Sequence, residues 1–204
     1  IDPVRYITNP SSGKMGYAVA QRARARGAEV TLISGPTQLD PPAGVTLLPC
    51  QRADEMHRLV LENLPVCDVL VMTAAVGDFA PASVHKEKIK KRGAAPLVLE
   101  LVPTPDILKD AAAHPDRPYL VGFAAETENL EQSALEKWRG KGLDLVLAND
   151  ISAPGIGFQS DQNQVLLIAG PDSIEPWPRM SKRDIADRLL DRIREGLARN
   201  QALS

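Results

Sequence analysis

Apolar and polar residues alternate in blocks along this chain. Short runs rich in Val, Ile and Leu recur at Val4 to Ile7, Val30 to Ile33, Val45 to Leu48, Val69 to Met72, Leu97 to Val102, Tyr119 to Phe123, Leu143 to Ala148 and Val165 to Ile168. Runs this short predict mostly buried strands. Between several of them the apolar period is helical. Met15, Val19 and Ala23 mark a first helix, with Gly27 after Arg26 as its stop; Ala53, Met56, Val60 and Leu64 mark a second. A third runs from Leu130 to Trp138, and a last one opens at Ser181, has Asp184 three residues on, and carries Ile185, Leu189, Ile193 and Leu197. Strand then helix, repeated, predicts an α/β fold: a Rossmann-like, doubly wound, mainly parallel sheet with helices on both faces. No internal repeat or linker divides the chain, so residues 1–204 are read as one domain. One stretch breaks the pattern. Pro81 to Pro96 has no apolar period and carries His85, Lys86, Glu87, Lys88, Lys90, Lys91 and Arg92, the composition of an exposed, mobile loop or flap.

Composition narrows the function classes. With 204 residues, 44% hydrophobic and 25% charged, the chain can bury a proper core. Lys and Arg number 24 against 26 Asp and Glu, a net charge of −2, so there is no broad basic surface for nucleic acid and any anion site must be local. Only Cys50 and Cys67 are present, far apart, which indicates neither a disulfide framework nor a structural zinc site and points to the cytoplasm. No apolar run approaches the roughly 20 residues that span a bilayer. The chain starts without Met, directly before an expected strand, and is read as a piece of a longer polypeptide.

In an open parallel sheet, ligands bind beyond the carboxyl ends of the strands. Here those ends are polar: Thr8-Asn9, Ser34-Gly35-Pro36, Thr73-Ala74-Ala75-Val76-Gly77-Asp78, Phe123-Ala124-Ala125-Glu126 and Asn149-Asp150. The opening loop, Thr8-Asn9-Pro10-Ser11-Ser12-Gly13-Lys14-Met15-Gly16, resembles a phosphate loop with errors. A Walker A loop would need glycine where Thr8 stands and a hydroxyl where Met15 stands. Ser11, Gly13 and Gly16 match the dinucleotide fingerprint in part, but the second strand ends in Ser34-Gly35-Pro36 where a nicotinamide site wants an acid. What remains is a turn of small residues that lets backbone amides approach an anion at a helix N-terminus. A tight packing turn accounts for the glycines equally well, and leaves Asn9 unexplained.

Lys88, Lys90 and Lys91 read either as a solvated charge run or, because they lie on a flap, as mobile cations that follow a polyphosphate. Lys137 and Lys141 are four apart on one expected helix, where like charges repel unless an anion or acid sits between them. Thr104-Pro105-Asp106-Ile107 reads as an N-cap, a proline at the first helical position and an acid in the first turn. Phe123 is core or a base-stacking ring. His57, His85 and His114 have no metal-ligand spacing. No Ser-His-Asp set or reactive Cys is evident, so positioning and charge neutralisation, as in phosphoryl or nucleotidyl transfer, fit better than covalent catalysis.

Six blocks, "RYITNPSSGKMG", "TAAVGDF", "EKIKK", "PTPDI", "GFAAET" and "LVLANDIS", together resemble the bacterial phosphopantothenoylcysteine synthetase family over residues 2 to 170. That family is the ligase half of a bifunctional coenzyme A biosynthesis protein. The resemblance implies that CTP activates the carboxylate of 4′-phosphopantothenate as an acyl-cytidylate, with loss of pyrophosphate, and that the amine of L-cysteine then displaces CMP. It implies Mg2+, a homodimer, and no FMN, since the flavin-dependent decarboxylase domain of the family is absent here. It further implies that Asn9, with Arg5 upstream, holds the activated acyl group. Lys88 serves cytidylate formation. Ser11, Ser12, Gly13 and Ala75 line the acyl substrate. Ala74, Asp78, Thr104, Pro105, Asp106, Ile107, Phe123, Lys137 and Lys141 surround the nucleotide. Gly77 stands where alanine is common in the family. The competing expectation is an NAD(P)-binding reductase of the short-chain type, carried by Ser11, Gly13 and Gly16 alone.

Overall fold

The computed structural model describes residues 1–91, 93, 96–126, 129–150 and 160–203. In chain order its elements are helix α1 (Lys14–Ala25), strands β1 (Thr31–Ser34) and β2 (Thr46–Pro49), helix α2 (Ala53–Asn63), strands β3 (Val69–Met72), β4 (Phe79–Pro81) and β5 (Leu101–Pro103), helix α3 (Ile107–Ala113), strand β6 (Tyr119–Glu126), helix α4 (Leu130–Gly140), strands β7 (Leu145–Asp150), β8 (Gln162–Gly170) and β9 (Ser173–Ser181), and helix α5 (Lys182–Leu203). The main sheet has the order β3-β6-β7-β8-β9. β3, β6 and β7 are parallel, β8 is antiparallel to β7, and β9 is antiparallel to β8, so β8 alone runs against the other four. β1 and β2 form a separate parallel pair, and β4 and β5 an antiparallel one.

The apolar runs become strands buried on both faces because successive side chains serve different layers. Tyr119, Val121, Leu145, Leu147, Val165 and Leu167 pack with Val19 of α1 and Ile185 and Leu189 of α5. Leu120, Ala124, Val146, Ala148 and Ile168 pack with Met56 and Val60 of α2, Leu108 and Ala111 of α3, and Ala134 of α4. A fully buried Leu or Val contributes about 1.5–3 kcal/mol, so these two layers dominate stability. The mainly parallel, doubly wound arrangement expected from the alternation is the one observed. No helix among the described residues is long and apolar enough to cross a membrane.

Three sequence expectations are corrected. Val4 to Ile7 is not a strand: the Asp2 carboxylate accepts from the backbone N–H of Val4 and Arg5, at 3.0 Å each, and turns the chain back on itself. The Leu97 to Val102 run yields only β5, paired with β4 at the base of the flap and outside the main sheet. The cap of α3 is Asp106, whose carboxylate accepts from Lys109 N–H at 3.2 Å. Thr104 does not cap it because its hydroxyl donates to the Gly77 carbonyl at 2.7 Å. β9 escaped prediction because Pro176 and Pro178 interrupt it. Prolines are tolerated at a sheet edge, and the buried Trp177 under the Arg188 guanidinium, 4.6 Å above its ring, anchors the strand.

Candidate active site

The parallel strands bring their carboxyl ends to one edge, and the loops that follow β1 and β3 meet α1 there. Gly13, just before α1, has a φ of 72°, a left-handed conformation that lets the loop turn into the helix. Ser11 Oγ accepts from Gly13 N–H at 3.3 Å, and Ser12 Oγ accepts from Lys14 N–H at 3.4 Å. Thr37, beyond β1, donates its hydroxyl to the Ser12 carbonyl at 3.3 Å. Gly16 is a close-approach glycine: a Cβ there would sit 2.6 Å from Thr73 Oγ1. The first turn of α1 is thereby pressed against the end of β3. Lys14, the residue that suggests a P-loop, is ion-paired with Asp161 at 2.6 Å, and this pairing holds the Asp161 carboxyl below its usual range.

The loop after β3 is stitched to both neighbours. Asn9 Nδ2 donates to the Val76 carbonyl at 3.3 Å, which joins the acyl-loop candidates Asn9, Ser11, Ser12 and Gly13 to the segment carrying Ala74, Ala75 and Asp78. That bond uses one of two amide hydrogens and leaves the other available. Thr104 N–H donates to the Asp78 carbonyl at 2.9 Å, which fixes the far end of the same loop and, through it, the approach to Pro105, Asp106 and Ile107. Asn9 and Asp78 are exposed at this edge.

Lys141, at the carboxyl end of α4, forms an ion pair with Asp106 at 3.2 Å, and Lys137 Nζ donates to the Phe123 carbonyl at 2.6 Å. Both lysines are half-buried and drawn inward, so the repulsion expected between them is relieved by an acid and a carbonyl. The Phe123 ring packs on the α1 and α5 layer, the opposite side of the sheet from the lysine that meets its carbonyl. Lys88 stands exposed on the flap and has no hydrogen bond or ion pair among the described residues. Its neighbour Ile89 is tied down: Arg5 Nη2 donates to the Ile89 carbonyl at 2.8 Å, and Asp2 accepts from Ile89 N–H at 3.0 Å. Arg92 of the flap, and the Thr127, Ile151 and Ser152 ends of two motif blocks, lie outside the described residues.

The structure adds residues that sequence reasoning missed. Asp2, Thr37 and Tyr17, whose hydroxyl reaches Ser34 Oγ at 3.4 Å, all brace the edge, and Thr73, expected there only as part of a polar strand end, lies close against Gly16. The Asp2-Pro3 pair is a turn-starting dipeptide and was the available signal for the first of these. Burial pushes the Cys50 and Cys67 thiols up, so neither is an activated nucleophile. Among the described residues no group of three or more His, Cys, Asp or Glu could hold a metal ion.

The family model "DNA/pantothenate metabolism flavoprotein C-terminal domain" matches residues 1–197. The chain is 44% identical over 194 residues to the coenzyme A biosynthesis bifunctional protein CoaBC of Bacillus subtilis, covering 95% of this chain and 48% of that protein. It is likewise 44% identical over 196 residues to the Escherichia coli K12 protein of the same name, covering 95% and 48%. The chain thus spans about half the length of the curated relatives it matches. Among solved structures, the C-terminal domain of a CoaBC protein superposes with a TM-score of 0.82 at 39% identity, covering 97% of this chain and 89% of that one.

Proposed function

From the premise that the chain belongs to the family of DNA/pantothenate metabolism flavoprotein C-terminal domains, we propose that it is a phosphopantothenate–cysteine ligase of coenzyme A biosynthesis. It is CTP-dependent and amide-forming. The observation that carries the reading is the junction of the Asn9 loop with the segment after β3, closed by the Asn9 to Val76 hydrogen bond of 3.3 Å at the amino end of α1. A carboxamide donor, a turn rich in backbone amides and a lysine-bearing flap suit a reaction that only needs its reactants held and their charge neutralised.

In the first step a carboxylate oxygen of 4′-phosphopantothenate attacks the α-phosphorus of CTP. The bond to the bridging oxygen breaks and pyrophosphate leaves, giving the acyl-cytidylate. Lys88 neutralises charge that builds on the phosphates, and Lys137, anchored on the Phe123 carbonyl, and Lys141, anchored on Asp106, hold the nucleotide with Ala74, Asp78 and the 104–107 segment. In the second step the amine of cysteine attacks the acyl carbon. CMP departs with the electron pair of the broken C–O bond, and the amine gives up a proton. The free hydrogen of the Asn9 carboxamide meets the oxygen on which negative charge develops, and Ser11, Ser12, Gly13 and Ala75 line the acyl chain. Arg5 supports this loop from upstream. Among the described residues the donor set has no carboxylate cage, which fits a magnesium ion carried by the triphosphate oxygens. When bound it supplies further neutralisation of phosphate charge. Flavin has no part in this unit.

The unit works in the cytoplasm as a homodimer, with the uncovered Phe79 and Val98 beside the flap as the surface that a second copy would cover. The reductase alternative is not supported: β1 ends at Ser34 before Gly35 and Pro36, with no acid for a ribose, and the relatives above belong to coenzyme A biosynthesis. Incubation with CTP, 4′-phosphopantothenate, cysteine and magnesium should release pyrophosphate and form the amide. A folded protein that releases none under these conditions ends the proposal, and parallel assays with ATP decide the nucleotide.

A further inference from the structure

We infer that Asp2 is a positioning residue whose buried carboxylate locks the amino-terminal arm to the flap and so sets where Lys88 stands relative to Asn9. The inference rests on the ligase reading for the role of Lys88, and on geometry for the lock itself. The Asp2 side chain is fully buried although its neighbours Pro3 and Val4 are exposed. Its two oxygens do separate work. Oδ1 accepts from Val4 N–H and Arg5 N–H, at 3.0 Å each, and closes the local turn. Oδ2 accepts from Arg5 Nε at 3.0 Å, from Arg5 Nη2, and from Ile89 N–H at 3.0 Å, across 87 positions of sequence. Arg5 Nη2 in turn donates to the Ile89 carbonyl at 2.8 Å. Both backbone groups of Ile89 are therefore held by one Asp–Arg pair. A second tie, His85 N–H to the Ile1 carbonyl at 3.0 Å, runs beside it.

Lys88 directly precedes Ile89, and Asn9 lies four residues after Arg5 and is hydrogen-bonded to Val76. The Asp2 pair thus ties the backbone next to the flap lysine to the segment that leads into the acyl loop. Hydrophobic burial cannot do this work, because Val4, Tyr6 and Ile7 of the arm are all exposed. The Arg5 hydrogen bonds hold the Asp2 carboxyl far below the ordinary range for aspartate, so it stays ionised wherever the enzyme operates.

The chemistry offers a selective way to cut the lock. In Asp2→Asn the oxygen can still accept from Val4 and Arg5 N–H and keep the turn, while the new NH2 faces three N–H donors from Arg5 and Ile89 and can accept from none. Amide hydrogen exchange at Ile89, with Val146 and Leu147 as core controls, reads the lock directly. Pyrophosphate release from CTP and 4′-phosphopantothenate reads its consequence. Asp2→Asn is expected to speed Ile89 exchange at least about tenfold with unchanged core exchange, and to slow the first step about ten- to a hundredfold with little change in the KM for CTP. In a Lys88→Gln background the same change should slow the step little further, since the lysine it positions is gone. Unchanged Ile89 exchange, an unaltered first step, core exchange that rises in parallel, or rate losses that simply multiply in the double variant would each overturn the inference. A wild-type protein with no turnover would instead remove the ligase reading, and with it the role given to Lys88, while Ile89 exchange would still decide whether the lock exists.

Discussion

The β6–β7 pair and the amino-terminal arm are both rich in apolar residues, and they end up oppositely. Leu120, Val121, Val146 and Leu147 are completely buried, whereas Val4, Tyr6 and Ile7 are 58, 78 and 48% exposed. β6 and β7 are flanked by paired strands and covered by a helical layer on each face. The arm has neither, and takes its shape from one carboxylate and one guanidinium. Apolar character makes a strand only where the fold supplies partners for the backbone. Stability and chemistry are consequently written in different places: the first in the alternating core, the second in polar contacts that bury little.

The largest test of this division is Leu147→Ala, which opens a cavity between β7 and the α1 and α5 layer. It should lower unfolding free energy by about 2–5 kcal/mol in urea titrations, while Val84→Ala on the exposed flap should stay within about 0.5 kcal/mol. Equal costs would collapse the contrast. Lys88→Gln reverses the pattern: a rate loss of about a hundred- to a thousandfold in pyrophosphate release, about 3–4 kcal/mol on the barrier, at unchanged urea midpoint. A shifted midpoint would show that the flap belongs to the stabilising half after all.

Next in size is an alkaline effect from the core. Burial, with Asp144 adding to it, pushes Tyr119 up to about 12 from its usual 10.0. The folded chain keeps a proton that the unfolded chain releases near pH 10, so this stability is whole below pH 10 and is lost as pH climbs toward 12. The loss should reach about 2–3 kcal/mol and be absent in Tyr119→Phe. The same pH slope in both proteins would exclude Tyr119 as its source. Smallest is Lys141→Gln: its half-exposed pair with Asp106 contributes about 0–1 kcal/mol to stability, yet the KM for CTP should rise severalfold. An unchanged KM would reduce the pair to a link between α3 and α4.

Legibility from sequence followed the same division. Val69 to Met72 is a strand with the expected bounds, and Tyr119 to Phe123 and Val165 to Ile168 lie inside β6 and β8, because burial on two faces leaves a continuous apolar run that needs no further context. The arm misled because Asp2 satisfies backbone groups locally, and no apolar count registers that. Thr104 and Asp106 are both competent caps; which one serves depends on Gly77, distant in sequence. Asn9 stood out because neither phosphate-loop pattern explained it, and the structure puts its amide against Val76. The inward turn of Lys137 and Lys141 was not readable, since it depends on a carbonyl from β6 and on the acid at the start of α3.

The alternation within β6 bears on how this protein can vary over time. Tyr119, Val121 and Phe123 serve one layer, and Leu120 and Ala124 the other, so a substitution alters one contact but a deletion exchanges the layers for every residue beyond it. Loss of Leu120, for example, would turn Val121 and Phe123 toward the α2–α4 layer and the small Gly122 and Ala124 toward the α1 and α5 layer, each meeting a surface shaped for the other. Residues 119–126 can therefore drift in identity but not in length, and divergent copies should accumulate their insertions and deletions in the flap.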